Sequence, residues 1–145
     1  GGEKGAARLE KFINPDNPEQ LFHLTERLAE GSFGVVYKGV YVPNRSVVAV
    51  KVIQLEEDET FEDLVLEIDI LQRCQHANVV GFYGAYKRQA ELFIAMECCE
   101  GGSALECMKE LGRGYNEPQV QHVMKHAFGG TAYLHSVGIM HRDVK

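Results

Sequence analysis

The sequence predicts an α+β chain in two lobes: five antiparallel strands with one main helix, then a second lobe of helices. Three observations predict it. The apolar period is two from Phe22 to Ile53, helical from Phe61 to Leu71, and two again from Val79 to Met96. Beyond Met96 only helical patterns occur. Between these regimes Gly101-Gly102 breaks the pattern and reads as a hinge. Hairpins followed by helices suit an α+β arrangement, not alternating βαβ units. The organisation expected is a flexible leader over 1–18, a first lobe over 19–96, a hinge over 97–102 and a second, helical lobe over 103–145.

The leader is polar and glycine-rich and closes on Asn14-Pro15-Asp16-Asn17-Pro18. Asn17 before Pro18 and Glu19 is a helix start, because proline lacks the N–H that a first helical turn leaves unused. One turn of helix should end near Phe22. Phe22, Leu24, Thr25 and Leu28 mark a first strand, and Val35–Tyr41 a second. The turn Pro43-Asn44-Arg45 leads into a third, Val47–Ile53. Phe61, Leu64, Val65, Ile68 and Leu71 repeat at helical spacing, with Thr60 and Asp63 resembling a capping box at the start. Strands over Val79–Lys87 and Glu91–Met96 follow. Ser103 with Glu106 is a capping box opening a short helix. Asn116 with Gln119, and Pro118 in the first turn, opens a longer one. Its apolar set is Val120, Val123, Met124, Ala127, Phe128, Thr131 and Leu134. Gly129-Gly130 inside it costs about 1 kcal/mol per residue relative to alanine.

The composition narrows the function classes. Hydrophobic residues make up 45% and charged residues 25% of the 145, as in a soluble globular protein. No apolar run reaches the ~18 residues of a membrane helix, and residues 1–8 do not read as a secretory signal. A formal net charge of −6 argues against a nucleic-acid or anionic-membrane surface, since phosphate binding shows as a basic excess. Cys74, Cys98, Cys99 and Cys107 form no C-x-x-C pair and read as reduced thiols of a cytoplasmic protein. His122 and His126 have metal-ligand spacing, but without a third ligand they read as a solvated helix face. The acidic run Glu56–Glu59 reads as a solvated loop suited to the positive end of the next helix.

Three constellations carry chemistry. In Ala29-Glu30-Gly31-Ser32-Phe33-Gly34-Val35-Val36, glycines let backbone amides approach phosphate oxygens with no Cβ in the way. The segment is also compatible with a plain hairpin turn. A dinucleotide fold needs its glycine loop to open a helix, and here a strand-like run follows. In Val48-Ala49-Val50-Lys51, a lysine within an apolar strand needs an anionic partner, because an unpaired charge against a core is costly. Glu67 shares the helix stripe of Leu64, Ile68 and Leu71 and is the candidate; the alternative puts both on solvent faces. In His141-Arg142-Asp143-Val144-Lys145, an aspartate beside cations can accept a proton or hold a metal, and Lys145 can neutralise a phosphate. The pentapeptide is equally compatible with a charged loop.

Together, in this order, these motifs resemble the signature set of eukaryotic serine/threonine protein kinases over about residues 19–145. Further matches are His76-Ala77-Asn78-Val79-Val80 after the central helix, Glu97–Leu105 at the hinge, and Tyr133-Leu134-His135-Ser136 before His141. Lysine two residues after Asp143 is similar to serine/threonine rather than tyrosine kinases. Phe33–Gly39 and Gly101–Leu105 look most like the germinal-centre-kinase branch of the sterile-twenty group. The resemblance implies a bilobal kinase fold, ATP with Mg2+ as cofactors, and phosphoryl transfer to protein substrates, themselves kinases or signalling proteins. It implies that Gly31, Ser32, Phe33 and Gly34 cover the phosphates and that Val36 and Ala49 sandwich the adenine. Lys51 contacts the phosphates and pairs with Glu67, and Met96 is the gatekeeper. The backbone of Glu97 and Cys99 holds the adenine edge, and Ala29 and Ser103 complete the nucleotide set. Asp143 accepts or orients the substrate proton, and Lys145 stabilises the transferred charge. His141 and Leu71 pack in an internal apolar stack.

Two departures qualify this. Ala29 stands where the first loop glycine is usual. The chain stops at Lys145, before the family's magnesium ligands, so this segment alone is expected to be inactive and its last helix to expose apolar surface that favours self-association. The alternative is a pseudokinase that binds nucleotide and acts as a scaffold.

Overall fold

The computed structural model describes residues 2–32, 34–55 and 61–144, the first three as backbone. The chain forms two compact units: residues 1–75 with 81–98, and residues 76–80 with 99–145. The division after Cys98 falls within the segment read as a hinge. Each unit is described by itself.

The first unit is built on a six-stranded sheet. Its strands are β1 (Ile13–Asn14), β2 (Phe22–Gly31), β3 (Gly34–Tyr41), β4 (Ser46–Gln54), β5 (Phe82–Arg88) and β6 (Glu91–Glu97), in the order β1-β5-β6-β4-β3-β2. Three helices accompany it: α1 (Gly2–Leu9), α2 (Pro18–Leu21) and α3 (Phe61–Arg73). The antiparallel sheet of five strands is present, with a correction at its edge: β1 adds a sixth strand, parallel to β5. Two residues are too short for any period to announce them. A second correction concerns residues 1–18. In place of a flexible leader, they contribute α1, a 3-10 turn, β1 and the start of α2, and Leu9 is 2% exposed in the core. The segment reads as polar because its apolar residues are few and without a period, yet Phe12 and Ile13 also pack against the cluster that holds Leu9.

Local chemistry explains the ends of these elements. Asn17 caps α2, its side chain accepting from the Glu19 N–H at 3.1 Å with Pro18 in the first turn. Arg45 takes a left-handed conformation (φ 61°) in the turn between β3 and β4, where the Asn44 side chain accepts from the Ser46 N–H at 2.9 Å. The Thr60 half of the capping box read at the start of α3 and the Glu56–Glu59 run lie outside the described residues.

Alternation along β4 sends its side chains to opposite faces of the sheet. On one face Ile53 joins Leu92 and Ile94 of β6, Val65 and Ile68 of α3, Ala85 and Leu9. On the other, Val48 and Val50 pack with Phe22, Tyr86, Phe93 and Ala95. Phe22 meets Tyr86 edge-on, ring centroids 5.1 Å apart, and burial pushes the Tyr86 phenol above its ordinary pKa, aided by nearby Tyr41 and Asp16.

The second unit carries α4 (Ala104–Leu111) and α5 (Glu117–Ser136). Both capping boxes read in the sequence form. The Ser103 hydroxyl accepts from the Glu106 N–H at 3.2 Å, and the Glu106 carboxylate accepts from the Ser103 N–H at 2.6 Å. The Ser103 backbone N–H donating to the carboxylate, aided by the Ser103 side chain, holds the Glu106 carboxyl below its ordinary pKa. Asn116 and Gln119 exchange the same pair of bonds at 3.0 Å each. Gly112, at φ 63°, ends α4 in the left-handed conformation that glycine adopts without cost.

Residues 76–80, read as the end of a link and the start of a strand, belong to this second unit, and β5 begins only at Phe82. The segment turns on itself: the Val79 N–H donates to the His76 carbonyl at 3.0 Å. It lies against α5, with His76 stacked on Tyr133 at 4.8 Å and Asn78 Nδ2 2.7 Å from His126 Nδ1. This contact explains the glycine pair inside a helix. A Cβ at Gly130 would stand 2.6 Å from the Asn78 carbonyl oxygen, so the helix accepts the propensity cost for a close backbone approach. The apolar set of α5 is largely uncovered, with Phe128 64% exposed and only Gly130 and Leu134 buried.

Candidate functional site

The glycine segment is the turn of the β2–β3 hairpin. Gly31 pairs with Gly34 across it, and Ala29 pairs with Val36. Ser32 lies in the turn, and Phe33 is outside the described residues. The two glycines differ in what they do. Gly34 has φ +109°, and a Cβ there would stand 2.3 Å from the Val52 carbonyl oxygen; a Cβ at Gly31 would meet nothing within 4 Å. Gly34→Ala should therefore force the hairpin to move and lower unfolding stability by about 1–3 kcal/mol. Gly31→Ala should cost under ~1 kcal/mol. Urea unfolding of the two variants checks the difference, and equal losses would refute it.

Lys51 sits in β4 opposite Val36 of β3 and Ile94 of β6, and Ala49 sits opposite Met96. Residues directly opposite on neighbouring strands share a face, so Val36, Ala49, Lys51, Ile94 and Met96 all point to the side that holds α3. There the Lys51 ammonium donates to Glu67 Oε1 at 2.9 Å. The lysine side chain is 19% exposed and the glutamate 41%. The charge needing a partner and the inward helical glutamate thus meet. A strand residue reaches a helix residue here because Ile53 and Ile94, flanking Lys51 on its face, share a cluster with Val65 and Ile68, which flank Glu67.

Beneath the glycine turn is a cavity of about 390 Å³ lined by Gly31, Ser32, Gly34, Lys51, Glu67 and their neighbours. One ammonium, glycine-turn backbone and a paired carboxylate suit a polyanion bound through its phosphates. Glu30, Leu64, Gln54 and Glu91 line it too and were not singled out by the sequence reading. Gln54 and Glu91 are paired by sheet register and hydrogen-bonded at 2.6 Å. Their signal appears only once β4 and β6 are known to be neighbours. Ala29, Val36, Ala49 and Met96 do not line this cavity.

The remaining candidates stand elsewhere. Glu97 ends β6, its N–H donating to the Gly81 carbonyl at 2.8 Å and its carboxylate accepting from the Gly81 N–H at 3.0 Å. Cys99, Ser103 and Asp143 belong to the second unit. The Ser103 side chain is occupied as the cap of α4. The Asp143 N–H donates to His141 Nδ1 at 3.2 Å, across Arg142 in a left-handed conformation (φ 63°). Lys145 lies outside the described residues. His122 and His126 stand 4.6 Å apart by ring centroid, and among the described residues no three His, Cys, Asp or Glu side chains converge to hold a metal ion. Among the same residues no helix is long and apolar enough to cross a membrane, and no cysteine is in a disulfide.

Comparison with known proteins shows the family. The protein kinase domain family model matches residues 22–145. Serine/threonine-protein kinase dst2 of Dictyostelium discoideum is 52% identical over 139 residues, covering 96% of this chain and 12% of that protein. Serine/threonine-protein kinase 10 of Homo sapiens is 37% identical over 144 residues, covering 99% of the chain and 15% of the relative. Mitogen-activated protein kinase kinase kinase kinase 3 of Rattus norvegicus is 40% identical over 129 residues, covering 89% and 15%. The chain therefore spans under a fifth of each of these relatives.

Proposed function

From the premise that this chain belongs to the protein kinase domain family and resembles its sterile-twenty group, we propose that the protein transfers the γ-phosphate of ATP to serine or threonine of protein substrates in a signalling cascade. The observation that carries this reading is the 2.9 Å contact of Lys51 with Glu67 beside the glycine turn. In the proposal, Lys51 receives the nucleotide phosphates, and Glu67 fixes the direction in which its ammonium points. Gly31, Ser32 and Gly34 offer backbone N–H groups over the same phosphates. Val36, Ala49 and Met96 supply the apolar side for the base, and the backbone of Glu97 and Cys99 its polar edge. Asp143 takes or orients the proton of the attacking hydroxyl, and Lys145 answers the charge on the phosphoryl group. Bound ATP supplies that group. Mg2+ accompanies ATP in the proposal, but the described residues offer no ligand cluster for it, so it is assigned no residue here. The cytoplasm as its compartment and other kinases or signalling proteins as substrates belong to the same proposal.

The test uses the full-length protein that contains this chain. Wild type and Lys51→Met are compared for ³²P transfer from Mg-ATP to a generic serine/threonine substrate. Transfer should fall by roughly 10²–10³-fold in the variant, the scale for losing one preorganised electrostatic group. A wild type that binds Mg-ATP yet transfers no faster than Lys51→Met would instead establish a nucleotide-binding scaffold.

A further inference from the structure

The family match begins at residue 22, yet residues 2–14 form α1, a 3-10 turn and β1 of the first unit, and Leu9 enters its core. Leu9, the last residue of α1, is 2% exposed and shares one cluster with Val65 and Ile68 of α3. In the middle of α1, a Cβ at Gly5 would come 3.1 Å from the Phe61 Cβ, so the α1 backbone passes close over the first residue of α3. The α1 and α3 backbones lie close together, while Val65 and Ile68 of α3 also pack against the sheet. The segment is tied to the sheet as well: β1 pairs with β5, and the Lys87 ammonium donates to Glu10 Oε1 at 2.6 Å.

Glu67 is adjacent in sequence to Ile68, which is fully buried in the cluster that Leu9 completes. A rotation of α3 that carried Glu67 away from Lys51 would have to move Ile68 and open space beside Leu9, and close-packed interiors resist such openings. We propose that residues 2–14 form a positioning element: α1 seats Leu9 against α3 and so holds Glu67 at Lys51. Leu9 is a positioning residue acting through Glu67, and this inference rests on the reading of the Lys51–Glu67 pair as part of the transfer site.

The test again uses the full-length protein, with Leu9→Ala, the conservative Leu9→Met, and Leu9→Ala combined with Glu67→Gln. Amide hydrogen exchange is followed in residues 61–73 and, as an internal control, in β3 and β4. Leu9→Ala should speed exchange in α3 by about tenfold, a typical coupling between sites, with little change in β3 and β4. It should lower phosphate transfer by a similar factor, and Leu9→Met should restore both. In the Glu67→Gln background the added loss of transfer should be under about twofold, because the residue that Leu9 acts through is already gone. If Leu9→Ala does not fold, Leu9→Val replaces it with the same expectations at smaller size. Uniformly faster exchange in α3, β3 and β4, or an undiminished loss of transfer in the Glu67→Gln background, would reduce α1 to a stabilising element and overturn the proposal. If wild type transfers no phosphate, the kinase reading falls, and the exchange pattern by itself decides whether α1 holds α3.

Discussion

Asp143→Asn should lower phosphate transfer by the full-length protein by roughly 10²–10⁴-fold, with nucleotide affinity changed far less. That range is what a positioned general acid or base contributes. The substitution keeps size and shape but replaces a carboxylate oxygen, which only accepts, by an amide nitrogen, which only donates. A substrate hydroxyl that needs its proton accepted then finds a donor. The substitution keeps the bond of the Asp143 N–H to His141 Nδ1 at 3.2 Å. Steady-state kinetics with varied ATP separate the two effects: kcat falls while KM for ATP stays within about threefold. A variant that keeps more than a tenth of the wild-type rate would remove Asp143 from the proposed chemistry. Asp143→Ala, which neither accepts nor donates, should be no faster.

Ile68→Ala should be the most destabilising of the substitutions considered, by about 2–5 kcal/mol. Ile68 is fully buried, among Leu9, Ile53, Val65, Leu92 and Ile94. Truncating it removes buried apolar surface and leaves a cavity that helix and sheet cannot both close. The loss is a large share of the 5–15 kcal/mol that holds a typical domain together. Leu66, two residues earlier on the same helix, is 55% exposed, and Leu66→Ala should change stability by under about 0.5 kcal/mol. Urea unfolding of both variants makes the comparison. Equal losses would mean that the helical stripe read in this sequence does not face the core.

Much of the chain was legible because its signals are local. The period change at Phe61 and the cap residues Asn17, Ser103 and Asn116 depend on atoms within a few residues, and α2, α3, α4 and α5 begin where those residues say. Even the Lys51–Glu67 pair could be anticipated. A charge in an apolar strand and another on an apolar helix stripe each carry a desolvation cost that a partner relieves.

Other features were set by partners distant in sequence. Leu9 stands among few apolar residues with no period, and only packing against α3 and the sheet makes it core. β1 is defined by β5, more than sixty residues later, since a parallel edge pair has no turn to announce it. Gly130 looks like a flaw in a helix until the Asn78 carbonyl is found where its Cβ would stand. Gln54 and Glu91 join the cavity through sheet register alone. By itself the sequence determined which segments are helix or strand and which charges need each other, because backbone preference and desolvation act on each residue where it stands. Only the tertiary structure decided what lies across from what, because contacts between remote segments depend on how the elements of each unit pack together.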